Sequence, residues 1–181
     1  MESKFFEKRT GGQLEYDGKY LKVRLDDVEL INGHAAKRVV VEHPGGVGVL
    51  AVTPRGDVVL VRQYRYPVGE ELLEIPAGKL ERGEIPLDCA KRELSEETGY
   101  SASEWQELGF IYTSPGYSDE RLYLFRATGL ITGDVHPDND EFVETVEIPF
   151  AELLAQVKSG ALRDAKTVAA AARAALADIA I

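Results

Sequence analysis

The chain has 181 residues, enough for one catalytic domain and a modest extension. Hydrophobic residues make up 44% and charged residues 29%, a globular balance that excludes wholesale disorder. Lysine and arginine number 21 against 31 acids, and the net charge of −10 argues against nucleic-acid binding, which runs on positive charge. Cys89 is the single cysteine, so an intramolecular disulfide is impossible, a cysteine-built zinc site is not expected, and the thiol reads as a small packing residue. MESKFFEKRT lacks the apolar run of a signal peptide, and no stretch approaches the ~20 apolar residues of a membrane span, so a reducing cytoplasm is the expected compartment.

Residues 1–45 read as a small β domain. Tyr20 to Leu30 alternates, with Leu21, Val23 and Leu25 on one side and Lys22, Arg24 and Asp26 on the other. Asp17-Gly18 and Asn32-Gly33 are hairpin signals on either side of it, and Val39-Val40-Val41 centres a further strand. So few residues cannot enclose a core, and the segment must lean on the rest of the chain or on a second copy. His43-Pro44-Gly45-Gly46 breaks the pattern; it lacks the Gly-Lys-Ser/Thr ending of a phosphate loop. From residue 46 to 181 the chain reads as one domain. Val47–Val52 and Val58–Tyr64 are apolar strands joined by a turn at Pro54–Asp57, and the second ends in alternating cationic and aromatic residues, Arg62 to Tyr66.

Leu72, Leu73 and Ile75 form a short apolar piece that runs into Pro76-Ala77-Gly78. The spacing then predicts a helix over 86–98, with Pro86 at its first position and Gly99 as a left-handed stop. Leu87, Ala90 and Leu94 share its core-facing stripe. Glu93, Glu96 and Glu97 fall at i, i+3 and i+4, a spacing at which like charges repel by roughly 0.2–0.5 kcal/mol per pair. An all-oxygen set of this kind suits a hard cation such as Mg²⁺. Beyond it, Trp105–Tyr112, Leu122–Phe125 and Phe142–Ile148 read as strands, Phe150–Val157 as a helix stopped at Ser159-Gly160, and alanine-rich Asp164–Leu176 as a helix given over to packing. Asp134–Glu141 is an acidic loop without the glycine and terminal glutamate of a calcium loop.

Gly78, five residues, Glu84, seven residues, then Arg92-Glu93-Leu94-Ser95-Glu96-Glu97-Thr98-Gly99-Tyr100 resembles the complete Nudix box, residues 78–100. Tyr100 departs from the aliphatic residue usual at the last position. LVRQYRYPVGEELLEIPAG upstream, Pro115 sixteen residues after Gly99 in SPGYSDE, and HPDNDEFVE around Glu141 make the chain similar to the ADP-ribose pyrophosphatase branch.

That resemblance implies an α/β/α sandwich on a mixed sheet, preceded by a small antiparallel β domain (residues 1–45) that walls the substrate and is exchanged across a homodimer. It implies hydrolysis of a nucleotide sugar, ADP-ribose giving AMP and ribose 5-phosphate, with Mg²⁺ or its substitute Mn²⁺. By motif position, Glu93 and Glu97 are the main metal ligands, helped by Glu96 and the Ala77 carbonyl. Gly78, Glu84, Arg92 and Gly99 are structural. Glu141 is the candidate base for the attacking water, with Asp138 and Asp140 as alternatives. Arg65 and Arg38 are candidate phosphate partners, Glu120 a ribose partner, and Tyr16 or Tyr20 an adenine stack. Two other readings stand beside it: hydrolysis of other nucleoside diphosphate sugars or dinucleoside polyphosphates, and a nucleotide-sensing domain without catalysis.

Overall fold

The computed structural model describes residues 3–134 and 142–177; Glu141, Asp138 and Asp140 lie outside these. The chain forms two compact units, Met1–Gly45 with Tyr112–Arg121, and Gly46–Ile111 with Leu122–Ile181. The segment 112–121, read from sequence as part of the catalytic domain, thus joins the first unit. There the Val41 N–H donates to the Tyr117 carbonyl at 2.7 Å, and the His43 N–H donates to the Asp119 carboxylate at 2.8 Å.

The first unit carries an antiparallel sheet in the order β1 (Lys8–Asp17), β2 (Lys22–Glu29), β3 (Ala35–Glu42). β1 escapes sequence reading because KRTGGQLEYD does not alternate and its register slips between Arg9 and Gly11 and between Leu14 and Tyr16, as bulges do. Asp26 is buried in this sheet, which Arg24 at 3.0 Å and Arg9 at 3.0 Å make tolerable.

The second unit is built on a mixed sheet. Its strands are β4 (Gly46–Val52), β5 (Asp57–Arg65), β6 (Glu70–Glu74), β7 (Ala77–Lys79), β8 (Tyr100–Tyr112), β9 (Arg121–Thr132) and β10 (Glu144–Pro149). The order is β10-β5-β4-β9-β8, with β6 paired to β5 and β7 to β4. β4 runs parallel to β9 and antiparallel to β5 and β7. Every residue of β4 is buried, as its unbroken apolar run requires of a strand covered on both faces.

Helix α1 (Pro86–Thr98) covers one face, where Cys89, Ala90 and Leu94 meet Val47, Val49, Ala51, Val59 and Phe125. Helices α2 (Phe150–Ser159) and α3 (Ala165–Leu176) cover the other, where Leu153, Ala170 and Ala171 meet Leu50, Val52, Leu60 and Ile75. The result is the α/β/α sandwich on a mixed sheet that the resemblance implies. No helix among the described residues is long and apolar enough to cross a membrane.

Candidate functional site

The site grows from α1 and the strand facing it. Pro86 opens the helix and Gly99 closes it at φ 70°, its N–H donating to the Ser95 carbonyl at 2.9 Å. With Cys89, Ala90 and Leu94 fixed in the core, the acids of the helix cannot all turn to solvent. Glu93 is 7% exposed and Glu97 2%. The Ala77 N–H donates to Glu97 Oε2 at 3.0 Å, joining the strand to the helix. Gly78 lies so close to Glu93 that a Cβ there would sit 1.9 Å from the Glu93 carboxyl carbon. β7 was not foreseen as a strand, but its pairing of Gly48 with Ala77 and Val47 with Gly78 sets this backbone beside the helix.

Arg92 is the hub of the acids. Its Nε and Nη2 grip Glu84 at 3.0 and 3.1 Å, a two-point fork. Its Nη1 donates to Glu93 at 2.8 Å and to Glu96 at 2.9 Å. The Glu84 fork is the largest influence raising the Arg92 pKa; in return it holds Glu84 down to about 2, helped by the Glu81 N–H. Three carboxylates, those of Glu84, Glu93 and Glu96, thus share one guanidinium. Among the described residues no three acidic, imidazole or thiol groups already surround a common point. The donors nevertheless fit a hard cation: all are oxygens, two of the carboxylates are buried, and Gly78 leaves a cradle that a Cβ would fill. Cys89 is buried, and burial pushes its thiol up to about 12, which suits packing and not nucleophilic chemistry. Tyr100 stays in the core cluster of α1 while its hydroxyl donates to Glu147 at 2.6 Å, a bond that an aliphatic residue lacks.

Behind Ala77 lies a group that sequence reasoning missed. Glu74 is 1% exposed and takes both arms of the Arg65 fork, at 2.8 and 2.6 Å. Lys166 of α3 also donates to Glu74, and to Asp164 at 2.9 Å. Burial would push the Glu74 pKa up, yet Arg65 and Lys166 hold it below its ordinary value. The signals were present: an acid inside the apolar run LLEIP, and Lys-Thr opening an alanine-rich helix.

The remaining candidates are placed as follows. Arg65 stands on β5 with its fork on Glu74, and Glu97 adds to the field that raises its pKa, behind the larger effect of the Glu74 bond. Arg38 belongs to the first unit and grips Glu7 at 2.9 and 2.6 Å. Glu120, also in the first unit, accepts from the Thr113 hydroxyl and lies 3.5 Å from His43 Nε2. Tyr16 and Tyr20 are exposed. Glu141 falls outside the described residues.

Residues 42–171 match the family model described as NUDIX domain. The chain is 45% identical over 163 residues to ADP-ribose pyrophosphatase of Bacillus subtilis, covering 89% of this chain and 88% of that protein. It is 44% identical over 170 residues to Methanol dehydrogenase activator of Bacillus methanolicus, covering 92% of each. It is 34% identical over 163 residues to GDP-mannose pyrophosphatase of Yersinia enterocolitica, covering 83% of this chain and 82% of that protein.

Proposed function

The chain belongs to the Nudix family, and on that premise we propose that it hydrolyses the pyrophosphate bond of ADP-ribose to AMP and ribose 5-phosphate. The observation that carries this reading is the close packing of Gly78 and the Ala77 N–H on the buried carboxylates Glu93 and Glu97. The relative in B. subtilis, similar over most of both chains, supports the substrate.

Glu93 and Glu97, with Glu96 and the Ala77 carbonyl, would hold Mg²⁺, or Mn²⁺ in its place. A divalent cation supplies positive charge that offsets the pyrophosphate and polarises it toward attack by water. The chain's own residues do the rest. Arg92 and Glu84 keep the box helix and its loop in register. Arg65, oriented by Glu74, is the candidate phosphate partner in the second unit; in the first, Arg38 is a candidate phosphate partner and Glu120 a candidate ribose partner. Glu141 is the candidate base that takes the proton of the attacking water, with Asp138 and Asp140 as alternatives. The chain works as a homodimer through its N-terminal strands, and its single cysteine is at home in a reducing cytoplasm.

The test is a panel of nucleoside diphosphate sugars, dinucleoside polyphosphates and ADP-ribose, with and without Mg²⁺, ranked by kcat/KM. ADP-ribose should lead and require the metal. A lead for GDP-mannose, the substrate named for the Yersinia relative, would move the reading to another sugar. Release of no phosphate ester from any member would leave a sensing domain. Glu97→Gln should lose activity by orders of magnitude with the fold intact; near-normal turnover would remove Glu97 from the metal site.

A further inference from the structure

Four consecutive residues lead into the box, and each is tied by a different contact. Glu74 is held by Arg65 and Lys166. The Ile75 N–H donates to the Thr167 hydroxyl at 2.8 Å. The Pro76 carbonyl accepts from the Val49 N–H at 2.9 Å. The Ala77 N–H donates to Glu97 at 3.0 Å. Two of these four ties come from the first turn of α3, far from the box in sequence.

Thr167 is fully buried, and so is Ile75. The Thr167 hydroxyl spends its own proton on Asp164 Oδ2 at 2.5 Å, which leaves its lone pairs turned to Ile75. Asp164 is fixed in turn, since it caps α3 by accepting the Thr167 N–H at 2.9 Å and binds Lys166 at 2.9 Å. A hydroxyl oriented from behind in this way is a more rigid acceptor than packing alone would supply.

We propose that Thr167 is a positioning residue for the box: its hydroxyl, seated on Asp164, fixes the Ile75 N–H and so sets the backbone that presents Ala77 to Glu97. This deepens the functional reading above and rests on it. Take away the hydroxyl and the Ile75 N–H is buried without that acceptor, so the backbone has a reason to shift toward another. Ala77 lies two residues further on, and a shift there alters the hydrogen bond that orients Glu97. Partners that orient ligands from outside the ligand set are commonly worth about 10–100-fold in metal affinity or activity.

The experiment compares Thr167→Val, Thr167→Ser and Leu153→Ala with the unaltered protein. Mn²⁺ binding is followed by electron paramagnetic resonance without substrate, beside Tm, kcat and KM for ADP-ribose. Thr167→Val should raise the Mn²⁺ dissociation constant and lower kcat by about tenfold each, with KM little changed. Thr167→Ser, which keeps the hydroxyl, should restore both. Leu153→Ala removes a buried side chain of α2 and should lower Tm without moving Mn²⁺ affinity. If Thr167→Val lowers Tm but binds Mn²⁺ and turns over as the unaltered protein does, the residue merely packs and the proposal falls. Should Thr167→Val fail to fold, Asp164→Asn serves in its place: it weakens the seat of the hydroxyl and should reproduce the loss of affinity, and an unchanged affinity overturns the proposal. Absence of Mn²⁺ binding in the unaltered protein would instead overturn the metal-dependent reading itself.

Discussion

At Gly78 the backbone has no room for a side chain, and the obstacle is the Glu93 carboxylate. That carboxylate is the far end of a flexible side chain, so Gly78→Ala can be relieved by swinging Glu93 aside. The fold should survive with a small change in Tm while kcat falls about 10–100-fold, because a group in the proposed metal site is displaced. Kinetics beside a thermal melt check this; unchanged kcat would mean that Glu93 has no part in the reaction. Glu84 makes a prediction of a different kind. The Arg92 fork holds it at about 2 against an ordinary 4.5. A carboxylate depressed in this way contributes stability that is whole above 4.5 and lost as pH falls through 2. Glu84→Gln deletes that titration, so its urea midpoint should fall less steeply than the unaltered protein's across that window. Superposable slopes would show that the fork carries no net stabilisation. The Arg65 and Arg38 forks are held by carboxylates as well, Glu74 and Glu7. Sequence could propose phosphate for them but not these partners, since a fork is satisfied in space and not by spacing along the chain.

The box helix was legible at both ends, because Pro86 and Gly99 act through their own backbone chemistry and need no tertiary help. The strand facing it was not. β7 is three residues long and exists through its partner, β4, where Gly46 lets the Gly78 carbonyl come within 2.8 Å of the position a Cβ would take. A contact so distant in sequence leaves no local period to read. The first turn of α3 was hidden for another reason: alanine dominates the segment, and its two polar residues look incidental until Glu74 and Ile75 are brought against them. The core stripe of α1 carries the prediction that belongs here. Leu94 is fully buried among Val47, Val49 and Phe125, so Leu94→Ala should cost about 2–5 kcal/mol. Leu87, only partly buried at the edge of the same cluster, should cost less when truncated. Urea unfolding of both variants measures the order, and a reversed order would mean that the helix does not rest on its stripe.

A net charge of −10 is a poor start for an enzyme of anionic substrates, and the sheet of the first unit is a poor start for a stable domain. The first difficulty would be answered locally by the cation proposed among the box acids. The second calls for another surface. Among the described residues of the first unit Val28 is the apolar residue that is buried, whereas Leu14, Tyr16, Tyr20 and Val39 are half exposed or more. Three strands need an apolar face covered by something if they are to be independently stable. A second copy of the chain offers such a cover, which is why a homodimer is the predicted state. Two measurements bear on it. Light scattering at micromolar concentration should return twice the mass of 19.9 kDa, and Tm should rise with protein concentration as mass action demands when association stabilises the folded form. Tyr16→Lys on the exposed face of β1 should weaken the dimer and lower Tm at low concentration while leaving the box untouched. A monomer with a concentration-independent Tm would mean that these strands are stabilised within one chain, and the exchanged arrangement would be wrong.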